Sequence, residues 1–445
     1  MKSFRVLAIF IPLVSLTACG GGGGGSSTAS ASSAARGWTG DALIETNNNG
    51  PASETQIASN AAGDAIVVWV QSDGTENRVW AKRYDRASGW GNETAIETGS
   101  GNVDSPHVAL DPLGNAIAVW AQSNGVRNDI WANRYDVTTG WGTPTRIETG
   151  AGEATFPSVA FDANGNAIAV WNQETSGRAD IWANRYDAAS GWGTATLIEN
   201  EDLGNAFMPQ IAFDADGNAI AVWQQSDGVT QSIRANRYDR VSGWGSAAPI
   251  PTIGTGAALG ARVATWAHGA TAVWAQEISG RLNIMASRYD ASSGWSTAVS
   301  IDDNSLFDSL APQIGVDSGG NAIVVWQQID NVQISILANR YDAVTGWGSA
   351  TPIETNDSAS AAAPQVAVDP AGNALVVWEL DTSPTDIWAN RYSAGMGWGA
   401  AQLIETGNLA NAVLPQIAVD GNGNAIAVWE QSDGSLFHVA ANRYR

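Results

Sequence analysis

The sequence predicts an all-β protein, an eight-bladed β-propeller with four antiparallel strands in each blade. Three observations lead to this fold class: a strand-like motif recurs at a fixed period, each period holds four strand-sized segments, and the two chain ends complement each other. Self-similarity at a period of roughly 20–50 residues indicates one repeat architecture rather than several unrelated domains.

The recurring motif is GNAIAVW, found at 114–120, 165–171, 217–223 and 423–429 with near copies elsewhere. Its final Trp returns every 51 or 52 residues, at Trp69, Trp120, Trp171, Trp223, Trp274, Trp326, Trp378 and Trp429. Within 219–223 small and branched residues alternate, so neither face of the strand is polar. A strand of this kind must be covered on both sides, as it is between neighbouring blades of a ring.

One unit, residues 209–250, shows the four segments. PQIAFD, NAIAVWQQ, SIRANRYD and WGSAAPI are separated by Gly, Asp, Asn and Ser, the pattern expected of short strands and turns. The folded region opens with GWTGDALIET (37–46), a fourth strand that lacks its first three, and stops at ANRYR (441–445), a third strand that lacks its fourth. We therefore expect the N-terminal strand to complete the last blade and close the ring.

The N-terminus has the pattern of an export signal: Lys2 and Arg5 precede an apolar run that ends in LTAC at 16–19. LTAC followed by Gly20 resembles the lipobox of bacterial lipoproteins, which implies cleavage before Cys19 and lipidation of that residue, the only cysteine in the chain. An ordinary signal peptide is the alternative. The expected division is a signal peptide (1–18), a lipidated Cys and Gly/Ser-rich tether (19–36) and the propeller (37–445).

By the same resemblance, Gly20 favours the outer membrane of a Gram-negative bacterium, with the lipid as the only membrane contact. The net charge is −22, with 44 acidic and 22 basic residues, which argues against nucleic-acid binding because that needs a basic surface. An acidic surface instead favours cations or basic partners. We expect a monomer.

The turn between the first two strands of a unit reads DANGN, DADGN or DPAGN in different copies. Asp suits the first position of such a turn, and Gly suits the position that needs positive φ. The alternating oxygens of DADGN also allow a calcium interpretation. The third turn position holds Asp216 in one unit but Leu113 or Ala371 in others, so a structural turn is favoured over calcium. No other cofactor or metal is expected.

The turns YDVTTGW (135–141) and YDAASGW (186–192) resemble two propeller signatures. One is the Asp-box of sialidase-like propellers, and the other is the D-x-x-[ST]-G turn of quinoprotein-like repeats, which also form eight blades. The first resemblance implies glycan chemistry. The second implies a quinone cofactor and an adjacent cysteine pair, which this chain lacks. Each resemblance covers only these short turns.

Because strand direction alternates, the turns sort onto two faces of the ring. The uniform face carries the nearly invariant turns between first and second and between third and fourth strands; the variable face carries the loops between second and third strands and between blades. Variable loops on a rigid frame usually hold binding function. The candidate ligand-binding carboxylates are therefore those of the variable face: Asp73, Asp227, Asp330, Asp381, Asp433, Glu201, Asp202, Asp302 and Asp303.

The alternative is that these carboxylates form only a solvated acidic rim and bind no ligand. Blade five departs most from the pattern and adds Arg262, which we place where other units have Ile or Val. The predicted function is a non-enzymatic binding or scaffold module for a glycan or an envelope protein. The alternative is a sialidase-like glycan hydrolase or lyase that uses symmetry-breaking residues at the channel mouth. A sialidase-like site would need a tyrosine, but every tyrosine of this chain occupies the same repeat position, on the uniform face. No catalytic residues are therefore assigned.

Overall fold

The computed structural model describes residues 36–200, 204–303, 306–330, 332–354, 359–407 and 410–445. The predicted signal peptide, Cys19, almost all of the tether, Glu201 and Asp202 lie outside these ranges. Within them the chain forms strands and turns, and it contains no helix that is long and apolar enough to cross a membrane.

The described strands form eight antiparallel sheets arranged in a ring, which confirms the predicted propeller. We call the strands of each blade a, b, c and d in order across the sheet. Each a strand packs against the a strands of both neighbouring blades, all the way round the ring, so the a strands surround the central axis.

The a, b and c strands have similar bounds in every blade. The a strands are Ala52–Ser59, Val103–Leu110, Ala154–Phe161, Ala206–Phe213, Ala258–Trp266, Asp308–Val316, Ala361–Val368 and Ala412–Val419. The b strands are Ala65–Ser72, Ala116–Ser123, Ala167–Thr175, Ala219–Ser226, Gly269–Ile278, Ala322–Ile329, Ala374–Asp381 and Ala425–Ser432. The c strands are Asn77–Asp85, Asn128–Asp136, Arg178–Asp187, Gln231–Asp239, Arg281–Asp290, Ile334–Asp342, Thr385–Ser393 and Phe437–Tyr444.

The outermost d strand is short and broken into two pieces in most blades. Blade one has the single segment Gly89–Ala95. The first pieces elsewhere are Gly140–Trp141, Gly191–Trp192, Gly243–Trp244, Gly294–Trp295, Gly346–Trp347 and Gly397–Trp398. The second pieces are Thr145–Arg146, Thr196–Leu197, Ala248–Pro249, Val299–Ser300, Thr351–Pro352 and Gln402–Leu403.

The core lies between the blades. The eight motif tryptophans on the b strands are almost completely buried, and each hydrophobic cluster joins residues of two neighbouring blades. A side chain on the c strand adds a polar link: Asn236 Nδ2 donates to the carbonyl of Ile198 in the preceding blade at 2.9 Å and to Gly245 of its own blade at 3.2 Å. The same link from a c-strand Asn to the preceding blade is made by Asn133, Asn184, Asn339, Asn390 and Asn442.

Every a strand contains a bulge that the sequence analysis did not predict. The register shifts at the third or fourth residue of the strand, and the residue with positive φ at the shift is Glu54, Ser105, Phe156, Met208, Gly260, Ala311, Ala363 or Leu414 in the eight blades. In six blades the next residue is Pro, which lacks an N–H for pairing and is typical of bulges and edge strands. The bulge lies near the variable face.

The N-terminal strand closes the ring, as predicted. Ala42 and Leu43 pair with Ala441 and Ala440 of blade eight, so the d strand of that blade comes from the other end of the propeller. Trp38 stacks edge-on against Tyr444 at 5.5 Å between ring centroids. The first and last strands of the propeller therefore belong to one sheet.

Closure makes a prediction about two adjacent residues of the closing strand. Ile44 is buried in the contact between blades eight and one, whereas the Leu43 side chain is 54% exposed. Ile44→Ala should lower the free energy of unfolding by about 2–5 kcal/mol because it leaves a cavity, whereas the control Leu43→Ala should change it by less than about 0.5 kcal/mol. Denaturant unfolding measures both values. Equal effects of the two substitutions would contradict the packing described for this strand.

Candidate functional site

The repeated Arg–Tyr–Asp sequence of the uniform face is used in structure. In blade four, Arg237 Nη1 pairs with Asp239 Oδ2 at 3.0 Å, and Asp239 Oδ1 accepts the backbone N–H groups of Val241 and Ser242 to close the c–d turn. The Tyr238 ring packs edge-on against Trp244. Corresponding Arg–Asp pairs occur in blades one, two, three and six.

The a–b turns explain why Asp and Asn recur there. Asp111 Oδ1 accepts the backbone N–H groups of Leu113 and Asn115, and Asp111 Oδ2 accepts the side-chain amide of Asn115. Both carboxylate oxygens thus serve the turn, which accounts for the motif without calcium. In the described ranges, no group of three or more His, Cys, Asp or Glu residues is placed to hold a metal ion.

On the variable face, four of the candidate carboxylates build the loops that carry them. Asp227 Oδ1 accepts the backbone N–H groups of Val229 and Thr230 at 2.8 and 2.7 Å, and these hydrogen bonds lower its pKa. Asp73, Asp330 and Asp433 do the same in blades one, six and eight. In blade two Asn124 makes the equivalent bonds without a charge. Asp381 is the exposed last residue of its b strand.

The candidate carboxylates between blades divide into buried and exposed groups. Asp302 is 1% exposed and accepts hydrogen bonds from Ile284 N and Ser300 Oγ, whereas Asp303 is exposed and accepts one from Ala350 N. For Asp302 the interpretation as a solvated rim is therefore wrong. The d strands of six other blades are also followed by a buried carboxylate: Glu45, Glu97, Glu148, Glu199, Glu354 and Glu405.

Arg262 occupies a different position from the one that the sequence suggested. In blade five Arg262 on the a strand pairs with Val273 on the b strand, as Gln210 pairs with Val222 in blade four. Arg262 therefore has the position that Gln210 has in blade four, and the residue at the Ile/Val position is Val263. Burial lowers the pKa of Arg262 to about 10, and its Nη1 donates to the Ala261 carbonyl at 3.0 Å. The assignment of Arg262 to the Ile/Val position is therefore wrong by one residue.

The structure does not gather the predicted ligand residues into one place. The candidate carboxylates that it describes lie at strand ends and in loops of blades one, four, five, six, seven and eight, and no hydrogen bond joins any two of these carboxylates in the described ranges. Arg262 lies on the a strand of blade five. A different cluster, which the sequence patterns did not predict, does come together, and we call it the carboxylate arc. It consists of Glu379, Glu430, Glu54 and Asp104, from blades seven, eight, one and two.

The members of the carboxylate arc lie at the ends of the central strands nearest the variable face. Glu379 Oε1 accepts the N–H of the bulge residue Leu414 at 2.6 Å, and Glu54 Oε2 accepts the bulge N–H of Ser105 at 2.5 Å. Glu430 lies against the backbone of Glu54 and is 5% exposed. The sequence did carry a signal: blades seven and eight read Trp–Glu where the other six have an uncharged residue after the motif Trp.

Burial is the main cause of the unusual ionisation of this arc. It raises the pKa of Glu430 to about 8, opposed by backbone hydrogen bonds from Glu54 and Thr55 and assisted by the charges of Glu54 and Glu379. Burial also raises the pKa of Glu54, Glu379 and Asp104. At neutral pH Glu430 is therefore mainly protonated.

A second buried group joins the closing strand to the c strand of blade eight. His438 on the c strand of blade eight contacts Glu45 Oε1 of the closing strand through Nδ1, and its Nε2 lies 3.1 Å from Asp433 Oδ2. Burial alone would lower the pKa of His438, but the hydrogen bonds to the two carboxylates outweigh it and raise that pKa. Asp433 is therefore held both by its own loop and by His438.

No protein-family model and no curated protein sequence matches the chain. Solved structures match its fold at low sequence identity. An ulvan lyase of polysaccharide lyase family PL25 has a TM-score of 0.53 at 10% identity, covering 78% of this chain and 94% of that one. The polysaccharide lyase Uly1 has a TM-score of 0.50 at 9% identity, covering 81% and 94%. The β-propeller domain of the trilobed protease from Pyrococcus furiosus has a TM-score of 0.48 at 10% identity, covering 81% and 99%.

Glu430 generates a prediction about pH. Its pKa is raised from 4.5 to about 8, so the folded protein keeps a proton that the unfolded chain releases, and stability falls as pH rises from 4.5 to 8. Glu430→Gln cannot ionise, so its stability advantage over the parent protein should grow with pH across this window. Glu174→Gln, which removes an exposed carboxylate from the same face, is the matched control. Melting temperatures at several pH values give the comparison, and a constant offset for Glu430→Gln would contradict the assignment.

Proposed function

We propose that this propeller is a non-enzymatic binding module, anchored in the cell envelope, that recognises a glycan through its variable face. The observation that carries the proposal is the contrast between the two faces. The repeated polar side chains of the uniform face are used in turns and blade contacts, whereas the loops of the variable face differ in sequence between blades and carry exposed carboxylates such as Asp227 and Asp330. A rigid frame with dissimilar loops suits recognition.

Asp227 and Asp330 are the loop carboxylates best placed to meet a ligand. Each uses Oδ1 to hold its own loop, and in the described structure Oδ2 has no hydrogen-bond or ion-pair partner. Both side chains are exposed. A carboxylate that is already oriented by its loop can accept hydrogen bonds from sugar hydroxyls at little further cost in side-chain entropy.

Glycans are favoured over envelope proteins as the ligand class by the kind of proteins that share the fold. Two of the structures with this fold are named as polysaccharide lyases, and this chain covers most of the length of each. An envelope protein with a basic surface is the other partner that the acidic loops would attract. An array on which no glycan binds the protein would favour the envelope protein.

A glycan hydrolase or lyase is the second candidate, and one observation favours it. Glu430 remains protonated up to about pH 8 beside Glu54 and Glu379, and a neutral carboxylic acid next to other carboxylates is the arrangement of a general acid. Its 5% exposure limits access to substrate. Turnover of a polysaccharide that disappears in Glu430→Gln would favour this candidate over the binding module.

The variable-face proposal predicts a loss of binding without a loss of stability. Asp227→Asn combined with Asp330→Asn removes two charges but keeps the loop hydrogen bonds, as Asn124 does in blade two. Against a glycan found by array screening, the double variant should bind about tenfold more weakly at an unchanged melting temperature. A control pair on the uniform face, Asp136→Asn with Asp342→Asn, should leave affinity unchanged. Normal binding by the loop variant would reject the variable face as the site.

The anchor is tested by fractionation. We propose that Cys19 carries the lipid and that the protein resides at the outer membrane, because LTAC followed by Gly20 resembles a lipobox. Cys19→Ser should abolish incorporation of labelled palmitate and move the protein out of the membrane fraction. Cys19→Ser protein that still fractionates with the outer membrane would remove the anchor from the proposal.

A further inference from the structure

A cavity of about 160 Å³ opens on the uniform face where blade eight meets blade one. We call it the seam cavity. Three guanidinium groups line it, those of Arg86, Arg443 and Arg445, together with the side chain of Tyr84. The whole chain has a net charge of −22 and only 22 basic residues, so this cavity is a local positive site on an acidic protein.

Two of the arginines converge on one atom. Arg443 Nη1 and Arg445 Nη2 donate to the Tyr84 hydroxyl oxygen at 2.9 and 3.0 Å. Tyr84 is buried, and the Arg443 guanidinium lies 5.4 Å from the centroid of its ring. Each guanidinium has five N–H donors. A single phenolic oxygen therefore leaves most of their donors free and does nothing to offset the repulsion between two like charges.

The equivalent positions in other blades show what is unusual here. In blades one, two, three, four and six the c-strand Arg pairs with the Asp two residues further on, at 2.8–3.0 Å. In blade eight that second position is Arg445, so a second cation stands where these five blades have the neutralising Asp. Within the described parts of the chain, Arg86, Arg443 and Arg445 form no ion pair with a carboxylate.

The lining does contain one acidic residue, Asp420, but its oxygens are already engaged. Oδ1 accepts the backbone N–H groups of Asn422 and Asn424 at 2.8 Å, and Oδ2 accepts the Asn424 side-chain amide at 2.7 Å. The three guanidinium groups of the lining therefore outnumber its one acidic side chain.

A groove at the same place between blades four and five is a useful contrast. It forms a smaller cavity of about 90 Å³, lined among others by Arg237 and Tyr289, the counterparts of Arg443 and Tyr84. There Arg237 is neutralised by Asp239 at 3.0 Å. The groove itself is thus a consequence of the blade packing, whereas the seam cavity is lined by two adjacent guanidinium groups that no carboxylate neutralises in the described structure.

We propose that the seam cavity binds an oxyanion, a carboxylate or sulfate group, with Arg443 and Arg445 as its main ligands and Arg86 at the rim. Guanidinium groups bind such anions through paired, charge-assisted hydrogen bonds, and the anion would screen the two cations from each other. The oxyanion is carried by an acidic sugar or exists as a free ion. This site lies on the face opposite the variable loops and does not depend on the glycan proposal made for them.

The test is titration of the purified protein with two probes, inorganic sulfate and glucuronate, followed by calorimetry. Saturable one-to-one binding that weakens as sodium chloride is raised is the expected result. Tighter binding of glucuronate than of sulfate would identify a sugar-borne anion, and the reverse order would identify a free ion. Absence of saturable binding of both probes would overturn the proposal.

The decisive variant is Arg445→Asp, which restores the Arg–Tyr–Asp sequence of blades one to six. Because that sequence is accommodated six times in the ring, the variant should fold normally, pair with Arg443 and lose at least about tenfold in oxyanion affinity. Arg445→Gln removes one charge without adding a carboxylate and should give an intermediate loss. Arg240→Gln, at the position of Arg86 in blade four, is the control and should bind as the parent protein does. Parental affinity in Arg445→Asp would also overturn the proposal.

Discussion

The contact between neighbouring blades is the constraint on which the rest of this structure depends. The b strand is apolar on both faces, and its Trp is almost completely buried, so neither face of a blade can meet water without a large loss of hydrophobic free energy. The c-strand Asn adds a directional link, because its amide donates to a carbonyl of the preceding blade. An open row of such blades would expose one apolar face of its first blade and one of its last blade to water. The strand that contains Ala42 and Leu43 closes the ring by pairing with the last blade.

Breaks in the repeat do not all mean the same thing. In blade five Trp266 replaces the turn Asp, yet Arg288 lies between the rings of Trp266 and Tyr341, at 4.0 and 3.9 Å from their centroids. A pair of cation–π contacts there takes over from the ion pair of the regular blades, so the altered blade still serves packing. In blade eight the altered residue is Arg445, a second cation that has no cation–π partner among the described residues. The changes in blade five therefore still serve packing, whereas those in blade eight leave a candidate site.

The parts of this fold that could be predicted from sequence are those encoded within one repeat. The period of the Trp, the two apolar faces of 219–223 and the incomplete segments at both ends were sufficient to predict eight blades and their closure. Arg262 was misplaced because the a–b turn of blade five is one residue shorter: four residues separate Thr265 from Ala270, whereas five separate Phe213 from Ala219. Counting back from the Trp therefore shifted the register by one.

The carboxylate arc could not be found in this way, because it depends on contacts between residues from different repeats. Glu379 meets the bulge of the next blade at Leu414, and Glu54 meets that of Ser105, across 35 and 51 residues of chain. The sequence shows an acidic residue at each position but not the bulge that exposes a backbone N–H to it. Charge counts alone suggested a solvated rim, whereas burial turned several of these carboxylates into structural acceptors.

The seam shows how the architecture itself can free a position for new chemistry. In the regular blades the Asp of Arg–Tyr–Asp has two tasks, pairing with the Arg and capping the c–d turn, as Asp239 does through Val241 and Ser242. Blade eight has no c–d turn, because its d strand comes from the opposite end of the propeller. The capping requirement is therefore absent at position 445, and an Arg can stand there without disturbing a turn. Because the ring is closed by the first and last strands of the propeller, the need for a turn-capping Asp is absent at blade eight. The seam cavity lies at that blade.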